Sequence, residues 1–259
     1  MSDYCKNQYI IPLPVLQRTI HLFCPANRSV GLTYAAAYLK LFLNSLPGTE
    51  KKGGERMIPY LVSAALGYLL GCSNMAFYLS RLRNVDIRSA GSGNLGASNA
   101  MILMGWGAGV LTAVHDIGKG ALAIVLARLL FPDAAFVGLA AGAAAVLGHN
   151  FPVFLRFRGG KGFATYFGMT LVISWKFAVI MAVAIVLLTV ITDYIVTATM
   201  ATVVSFPVFV GWVFGPVALA IVCAASLAVI VRHRENFVRL ANGTEIGLRR
   251  AGSGKMRIR

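Results

Sequence analysis

The stretch IPYLVSAALGYLLGCSNMAFYLS, residues Ile58–Ser80, runs for 23 positions without an Asp, Glu, Lys or Arg. As a helix it reaches about 35 Å, enough to cross about 30 Å of bilayer hydrocarbon. Reading outward from it, Ala100–Phe131, Ala134–Gly148, Phe163–Ser174, Phe177–Thr192, Tyr194–Trp212 and Gly215–Val231 are further apolar stretches. Ala100–Phe131 is interrupted by His115, Asp116 and Lys119, so it reads as one long broken helix or two short ones. Counted once, it makes seven spans in all. The predicted fold class is therefore all-α: a polytopic membrane protein of about seven transmembrane helices. Composition agrees, with 58% hydrophobic and only 13% charged residues, where a soluble domain carries about 25% charged. Ala134–Gly148 is built largely from Ala and Gly, which lets helix backbones approach closely.

The formal net charge is +15, and the basic residues crowd into the gaps between apolar stretches. A nucleic-acid binder presents such charge on a soluble face; here it flanks hydrocarbon-length segments. The expected partners are therefore the lipid bilayer and phosphorylated substrates, and no nucleic acid. Arg81, Arg83 and Arg88 follow the first span, and Arg156, Arg158 and Lys161 the third. Arg232, Arg234, Arg239, Arg249 and Arg250 follow the seventh. Short Lys/Arg-rich loops stay cytoplasmic. With an odd count all three groups fall on that side, the chain near Met57 lies outside, and the C-terminus lies inside. An even count, with His115 to Lys119 dividing two spans, would break the agreement.

Residues 1–56 differ from the rest, with scattered charge and no apolar run long enough to span. They are read as an N-terminal extension that ends in the linker SLPGTEKKGGER, Ser45–Arg56. A start at Met57 is the preferred reading, and a short interfacial helix around Tyr34–Leu46 the alternative. A transmembrane domain over 57–248 and a basic tail over 249–259 complete the organisation. Cys5, Cys24, Cys72 and Cys223 show no metal-binding or disulfide spacing, so no metal and no cofactor are expected.

Three basic loops carry the candidate chemistry. The first, Arg81–Ala100, reads RLRNVDIRSAGSGNLGASNA. Gly91, Gly93 and Gly96 alternate with Ser92, Asn94, Ser98 and Asn99, a pattern that offers backbone N–H groups and small polar donors to an anion at a helix start. The second, Gly148–Thr165, reads GHNFPVFLRFRGGKGFAT. Its GGKG supplies a turn and a Lys161 ammonium able to act as a point charge on phosphate. It is not a Walker A loop, because no glycine stands five residues before the Gly-Lys pair. The third, His233–Glu245, reads HRENFVRLANGTE and sets His233 and Asn236 on one helix face. Asp116 and Lys119 share a face within the apolar region, where ionisable residues are either paired or functional.

These loops, in this order, resemble the acyl-phosphate-dependent glycerol-3-phosphate acyltransferase family of bacterial membranes. The matching stretches are GSGNLGASNA (Gly91–Ala100), DIGKG (Asp116–Gly120), GHNFPVFLRFRGGKGFAT and HRENFVRLANGTE. The resemblance covers Met57 to about Gly247. It implies a seven-span fold with three motif loops gathered at the cytoplasmic face of the bacterial plasma membrane. The implied reaction is transfer of a fatty acyl group from acyl phosphate to the 1-hydroxyl of sn-glycerol 3-phosphate, giving lysophosphatidic acid and inorganic phosphate.

Carried over position by position, the resemblance makes Ser92, Lys161, His233 and Asn236 the catalytic candidates. Substrate contacts fall to Gly91, Gly93, Asn94, Gly96, Ser98 and Asn99 in the first loop. His149, Gly159, Gly160, Gly162 and Thr165 serve in the second, and Glu245 in the third. Asp116, Lys119 and Thr199 are further candidates, Thr199 standing for a serine near the connection of the fifth and sixth spans. Two positions depart from the family pattern: Ile102 replaces an arginine, and Asp193 replaces a basic residue, so a different acceptor stays open. No HxxxxD or GxSxG motif is present, so a Ser–His–Asp triad is not expected. A transporter of a phosphorylated solute and a non-catalytic scaffold are the competing readings. The transporter would favour a midplane site and paired repeats, and no inverted repeat is visible.

Overall fold

A computed structural model describes residues 57–245 and residue 247. The expectations for 1–56 and for 249–259 lie outside the described residues. Every regular element among the described residues is helical: α1 Ile58–Cys72, α2 Met75–Leu82, α3 Ala97–Met104, α4 Trp106–Leu130, α5 Val137–Asn150, α6 Phe163–Ile173, α7 Trp175–Thr192, α8 Ile195–Phe214, α9 Pro216–Arg232 and α10 Arg234–Ala241.

Five segments among these are long and apolar enough to cross a membrane: α1 with α2, α4, α5 with the following turn, α7 and α8. The pair α9 and α10, bent by 50° at their junction, makes a sixth at most. Helix α6 has 11 residues, about 16 Å of rise, roughly half the hydrocarbon thickness. It corresponds to the expected span Phe163–Ser174. The chain is thus an all-helical, multi-pass membrane protein.

The expected interruption of Ala100–Phe131 at His115–Lys119 is corrected. Helix α4 runs unbroken through all three residues, and the break falls at Gly105, which adopts φ 88° between α3 and α4. That backbone conformation stops an α-helix and suits glycine alone without strain. The charged residues need no break because they satisfy one another across helices, as described below.

Small residues decide which helices touch. A Cβ on Gly67 or Gly71 of α1 would overlap the carbonyl oxygens of Ala141 or Ala145 on α5, and one on Gly148 would overlap that of Tyr68 on α1. The two helices are pressed backbone to backbone, the contact that drives association where lipid supplies no hydrophobic force. Gly120 on α4 and Gly168 on α6 meet Thr165 and Ile117 in the same reciprocal way. Gly71→Val should therefore lower the thermal stability of the detergent-purified protein, by about 1–3 kcal/mol for forced overpacking. A melting temperature unchanged from the parent would contradict this packing.

A second part of the core centres on α6, α8 and α9, where Tyr166, Met169, Phe206 and Val222 are buried. Phe206 packs against Tyr166 and Phe177 with ring centroids 5.7 and 5.4 Å apart. The Tyr166 hydroxyl is satisfied by Ser226 Oγ at 2.7 Å. Helix α7 exposes Ile180, Val183, Val186, Val190 and Ile191, the surface expected against lipid chains.

Candidate active site

The bundle delivers the three loops to one another. The second loop begins where α5 ends. Its chain turns through Val153–Leu155, passes Arg156 and Phe157 at positive φ, and returns onto the end of α5. There the Gly159 N–H donates to the Asn150 carbonyl (3.2 Å) and the Gly160 N–H to the His149 carbonyl (3.1 Å). A Cβ on either glycine would overlap His149. These two glycines therefore serve close packing, and their N–H groups are occupied. Of the backbone N–H groups expected to face a phosphate, those of Gly159 and Gly160 are thus turned onto the end of α5. The N–H groups of Lys161 and Gly162, at the start of α6, have no partner among the described residues. They and the first turn of α6 are the anion-suited donors that remain.

The carbonyls of Gly159 and Gly160 accept from Arg232, whose Nη2 and Nε lie 2.7 and 3.0 Å away. Arg232 is the last residue of α9 and also stacks over Phe151, with 5.8 Å to the ring centroid. The guanidinium thus ties the glycine loop to the third motif. Sequence reading counted Arg232 only as a topology anchor. Its position directly before His233 was the available signal.

Lys161 leaves this loop toward α10. Its Nζ donates to Asn236 Oδ1 at 2.6 Å, Asn236 Nδ2 donates to Glu245 Oε1 at 2.6 Å, and Arg239 Nε donates to Glu245 Oε2 at 2.8 Å. Glu245 is acceptor-only when ionised, so each donor in this chain has one assigned direction. Burial pushes the Lys161 ammonium below the usual lysine range and the Arg239 charge adds to it, while Glu245 and Glu235 oppose the shift. A bound phosphate would supply the negative charge that this half-buried ammonium lacks.

His233 sits in the break between α9 and α10 and is buried. Its Nδ1 donates to the Val229 carbonyl at 2.8 Å, which leaves Nε2 as the ring's acceptor. Burial pushes its pKa down to about 4; the Val229 hydrogen bond opposes the shift and the Lys161 charge adds to it. The ring is neutral at pH 7.

The first loop is folded around Asn99. Its Oδ1 accepts from Ser92 N at 2.9 Å, and its Nδ2 donates to the carbonyls of Ile87 (3.0 Å) and Ala90 (3.3 Å). Asn99 is fully buried and shapes the loop, with no donor left for a ligand. A Cβ on Gly91 would overlap its side chain. Ser92 and Ser98 are exposed and Asn94 is half-buried, its amide close against Gly96. Loops one and two are joined where Leu95 packs on Gly160 and where Arg88 reaches the Leu155 carbonyl at 3.3 Å.

Other candidates lie apart from the Lys161 chain. His149 is buried and bonded to Lys119 at 2.8 Å, in a cluster that also holds Asp116. Thr199 is buried, and its hydroxyl donates to the Ile195 carbonyl of its own helix at 2.9 Å. Thr165 is fully buried, with an unpartnered hydroxyl. Asn150, which sequence reading passed over inside its own motif, is fully buried with both amide atoms unpartnered and close against Gly162. Ile102 is exposed on α3. Asp193 caps α7 with its carboxylate packed on Gly247, which brings the C-terminal segment to the same end of the bundle. No group of His, Cys, Asp and Glu suited to a metal occurs among the described residues.

A helical membrane protein whose basic loops converge on one lysine, one neutral imidazole and a bridging amide belongs with membrane enzymes that handle phosphorylated compounds. Residues 61–243 match the glycerol-3-phosphate acyltransferase family, and the chain belongs to that family of acyltransferases. The glycerol-3-phosphate acyltransferase of Dinoroseobacter shibae is 42% identical over 183 residues, covering 69% of this chain and 87% of the relative. Glycerol-3-phosphate acyltransferase 1 of Oceanobacillus iheyensis is 32% identical over 197 residues, 73% of this chain and 95% of the relative. Among solved structures, PlsY, an integral membrane glycerol 3-phosphate acyltransferase, matches in its glycerol 3-phosphate form with a TM-score of 0.68 and 33% identity, over 73% of this chain and 95% of that one. Its lysophosphatidic acid form matches with a TM-score of 0.64 and 32% identity, over 73% and 94%.

Proposed function

We propose that this chain transfers a fatty acyl group from acyl phosphate to the 1-hydroxyl of sn-glycerol 3-phosphate, at the cytoplasmic face of a bacterial plasma membrane. The products are lysophosphatidic acid and inorganic phosphate. The observation that carries this reading is the chain Lys161–Asn236–Glu245–Arg239, which sets one ammonium beside a neutral His233 where two loops meet. The acceptor and product follow the glycerol 3-phosphate and lysophosphatidic acid forms of the PlsY relative. The acyl phosphate donor is the one the family resemblance implies, and the loops are compatible with it. No serine or cysteine in them is hydrogen-bonded to an imidazole among the described residues, so a donor with its own good leaving group suits them. Among the described residues Ser73 pairs with His115, inside the Asp116 cluster and away from the Lys161 chain.

In this reading the acceptor oxygen attacks the acyl carbonyl carbon. The bond from that carbon to the phosphate oxygen then breaks, and phosphate departs with the electron pair. Lys161 and the free N–H groups at the start of α6 stabilise the departing charge. The hydroxyl proton goes to a phosphate oxygen. A phosphate with a second pKa of about 6 is a stronger base than an imidazole held at about 4. Burial and the nearby Lys161 charge thus disfavour His233 as the proton's destination. His233 instead accepts at Nε2 from the neighbouring 2-hydroxyl of the acceptor and so orients the molecule, which leaves the attacking hydroxyl's one proton free to pass to the phosphate.

The test is phosphate release from palmitoyl phosphate by the purified protein, with and without glycerol 3-phosphate or other phosphorylated alcohols. Acceptor-dependent release with glycerol 3-phosphate is expected; a stronger response to another alcohol would reassign the acceptor. Solute uptake into liposomes without such release would instead mark a transporter. His233→Gln, which retains an acceptor, should lose only about tenfold in kcat, short of the 10²–10⁴ of general base catalysis. A loss of about 10³ would make the ring the base.

A further inference from the structure

The densest charged cluster within the bundle is not in the loops. Lys119 Nζ on α4 donates to three groups: Asp116 Oδ1 at 2.8 Å, His149 Nδ1 at 2.8 Å and the Ser73 carbonyl at 2.6 Å. Asp116, Lys119 and His149 are all buried. His149 Nδ1 lies nearer the ammonium than the carboxylate, 3.5 Å away, so it accepts and the ring carries its proton on Nε2. An ammonium with all three donors used, on a carboxylate, an imidazole and a carbonyl, is satisfied at a membrane depth where an unpaired charge would be costly.

Two of the three groups held by Lys119 lead to Gly160. The imidazole of His149 lies against the Gly160 Cα, so closely that a Cβ there would overlap Nε2, and the His149 carbonyl accepts the Gly160 N–H. On the other side, Ser73 precedes Asn74, whose Nδ2 donates to the Leu95 carbonyl at 3.0 Å. That carbonyl itself packs on Gly160. The glycine before Lys161 is thus wedged between one residue of the first loop and one of α5, and a single ammonium fixes the supports of both.

We infer that Lys119, held by Asp116, is a positioning residue that sets the register of the glycine loop and so the place of the Lys161 ammonium. The inference rests on the acyltransferase reading for its kinetic consequence but on packing alone for its structural one. Lys119 and Asp116 touch no substrate. The alternative, that the pair only neutralises itself inside the bundle, makes a different prediction when both members are removed together.

The experiment compares Lys119→Met with the double variant Asp116→Leu/Lys119→Met in detergent. The single variant leaves a buried carboxylate uncompensated and should lower the melting temperature by about 10 °C. The double variant removes both charges and should recover most of that loss. It should nevertheless keep a KM for glycerol 3-phosphate or acyl phosphate raised about tenfold, with exchange of the 158–163 amides accelerated about tenfold while those of α8 and α9 stay as in the parent. A stable double variant with parental KM and parental exchange at 158–163 would overturn the inference. Accelerated loop exchange in a chain that lacks transferase activity even in its parent form would uphold the positioning role and sink the proposed function instead.

Discussion

Lys161→Ala should reduce kcat/KM for acyl transfer by about 10³-fold, about 4 kcal/mol of transition-state stabilisation. The magnitude follows from where the charge goes. In the reaction, phosphate leaves the acyl carbon and accumulates negative charge, and removing one preorganised donor aimed at such charge costs about 10²–10³ in rate even for a neutral donor. A charged donor is about twice as strong. Lys161 is also already desolvated and held at 2.6 Å by Asn236, so it is oriented before substrate arrives. Lys161→Arg should recover only part of the loss. A planar guanidinium, shaped for bidentate contacts, does not reproduce the compact ammonium accepted by the single Asn236 oxygen. The check is steady-state kinetics of both variants at matched folded fraction. An alanine variant within tenfold of the parent would remove Lys161 from the departing phosphate.

The helical membrane architecture was legible because the bilayer leaves little choice: an uncharged run as long as Ile58–Ser80 must hide its backbone polar groups in a helix. The position of the break in Ala100–Phe131 was not legible. Reading charge as interruption pointed to His115–Lys119, but charge inside a membrane segment disrupts a helix only when it lacks partners, and the partners Ser73 and His149 lie 46 and 30 residues from Lys119. Gly105 was the local signal, and its weight depends on a φ that no residue type declares by itself. The site divides along the same line. Lys161 stands in the second motif and Asn236 and Glu245 in the third, and the fold joins the two. Asn99, with the same polar motif character, is consumed inside its own loop. Sequence marks a polar residue in a loop; only geometry says whether its donors point inward or out.

Arg232→Ala should lower kcat/KM by about 10²-fold although Arg232 is proposed to touch neither substrate. Its two hydrogen bonds close the glycine loop from the side opposite His149: Nη2 on the Gly159 carbonyl at 2.7 Å and Nε on the Gly160 carbonyl at 3.0 Å. Charge-assisted bonds of this kind contribute about 1.5–3 kcal/mol each, and here both act on the residues immediately before Lys161. Freed of them, the loop can shift, and a displacement of about 1 Å at a positioned group costs about 10²-fold in rate. Lys is the informative control. Arg232→Lys preserves the positive charge at the end of α9 but reaches one carbonyl, not two, so it should recover less than half of the lost activation free energy. If charge at this position served only to anchor α9 at the membrane surface, Arg232→Lys would match the parent enzyme, and kcat/KM measured for the lysine variant decides between the two roles.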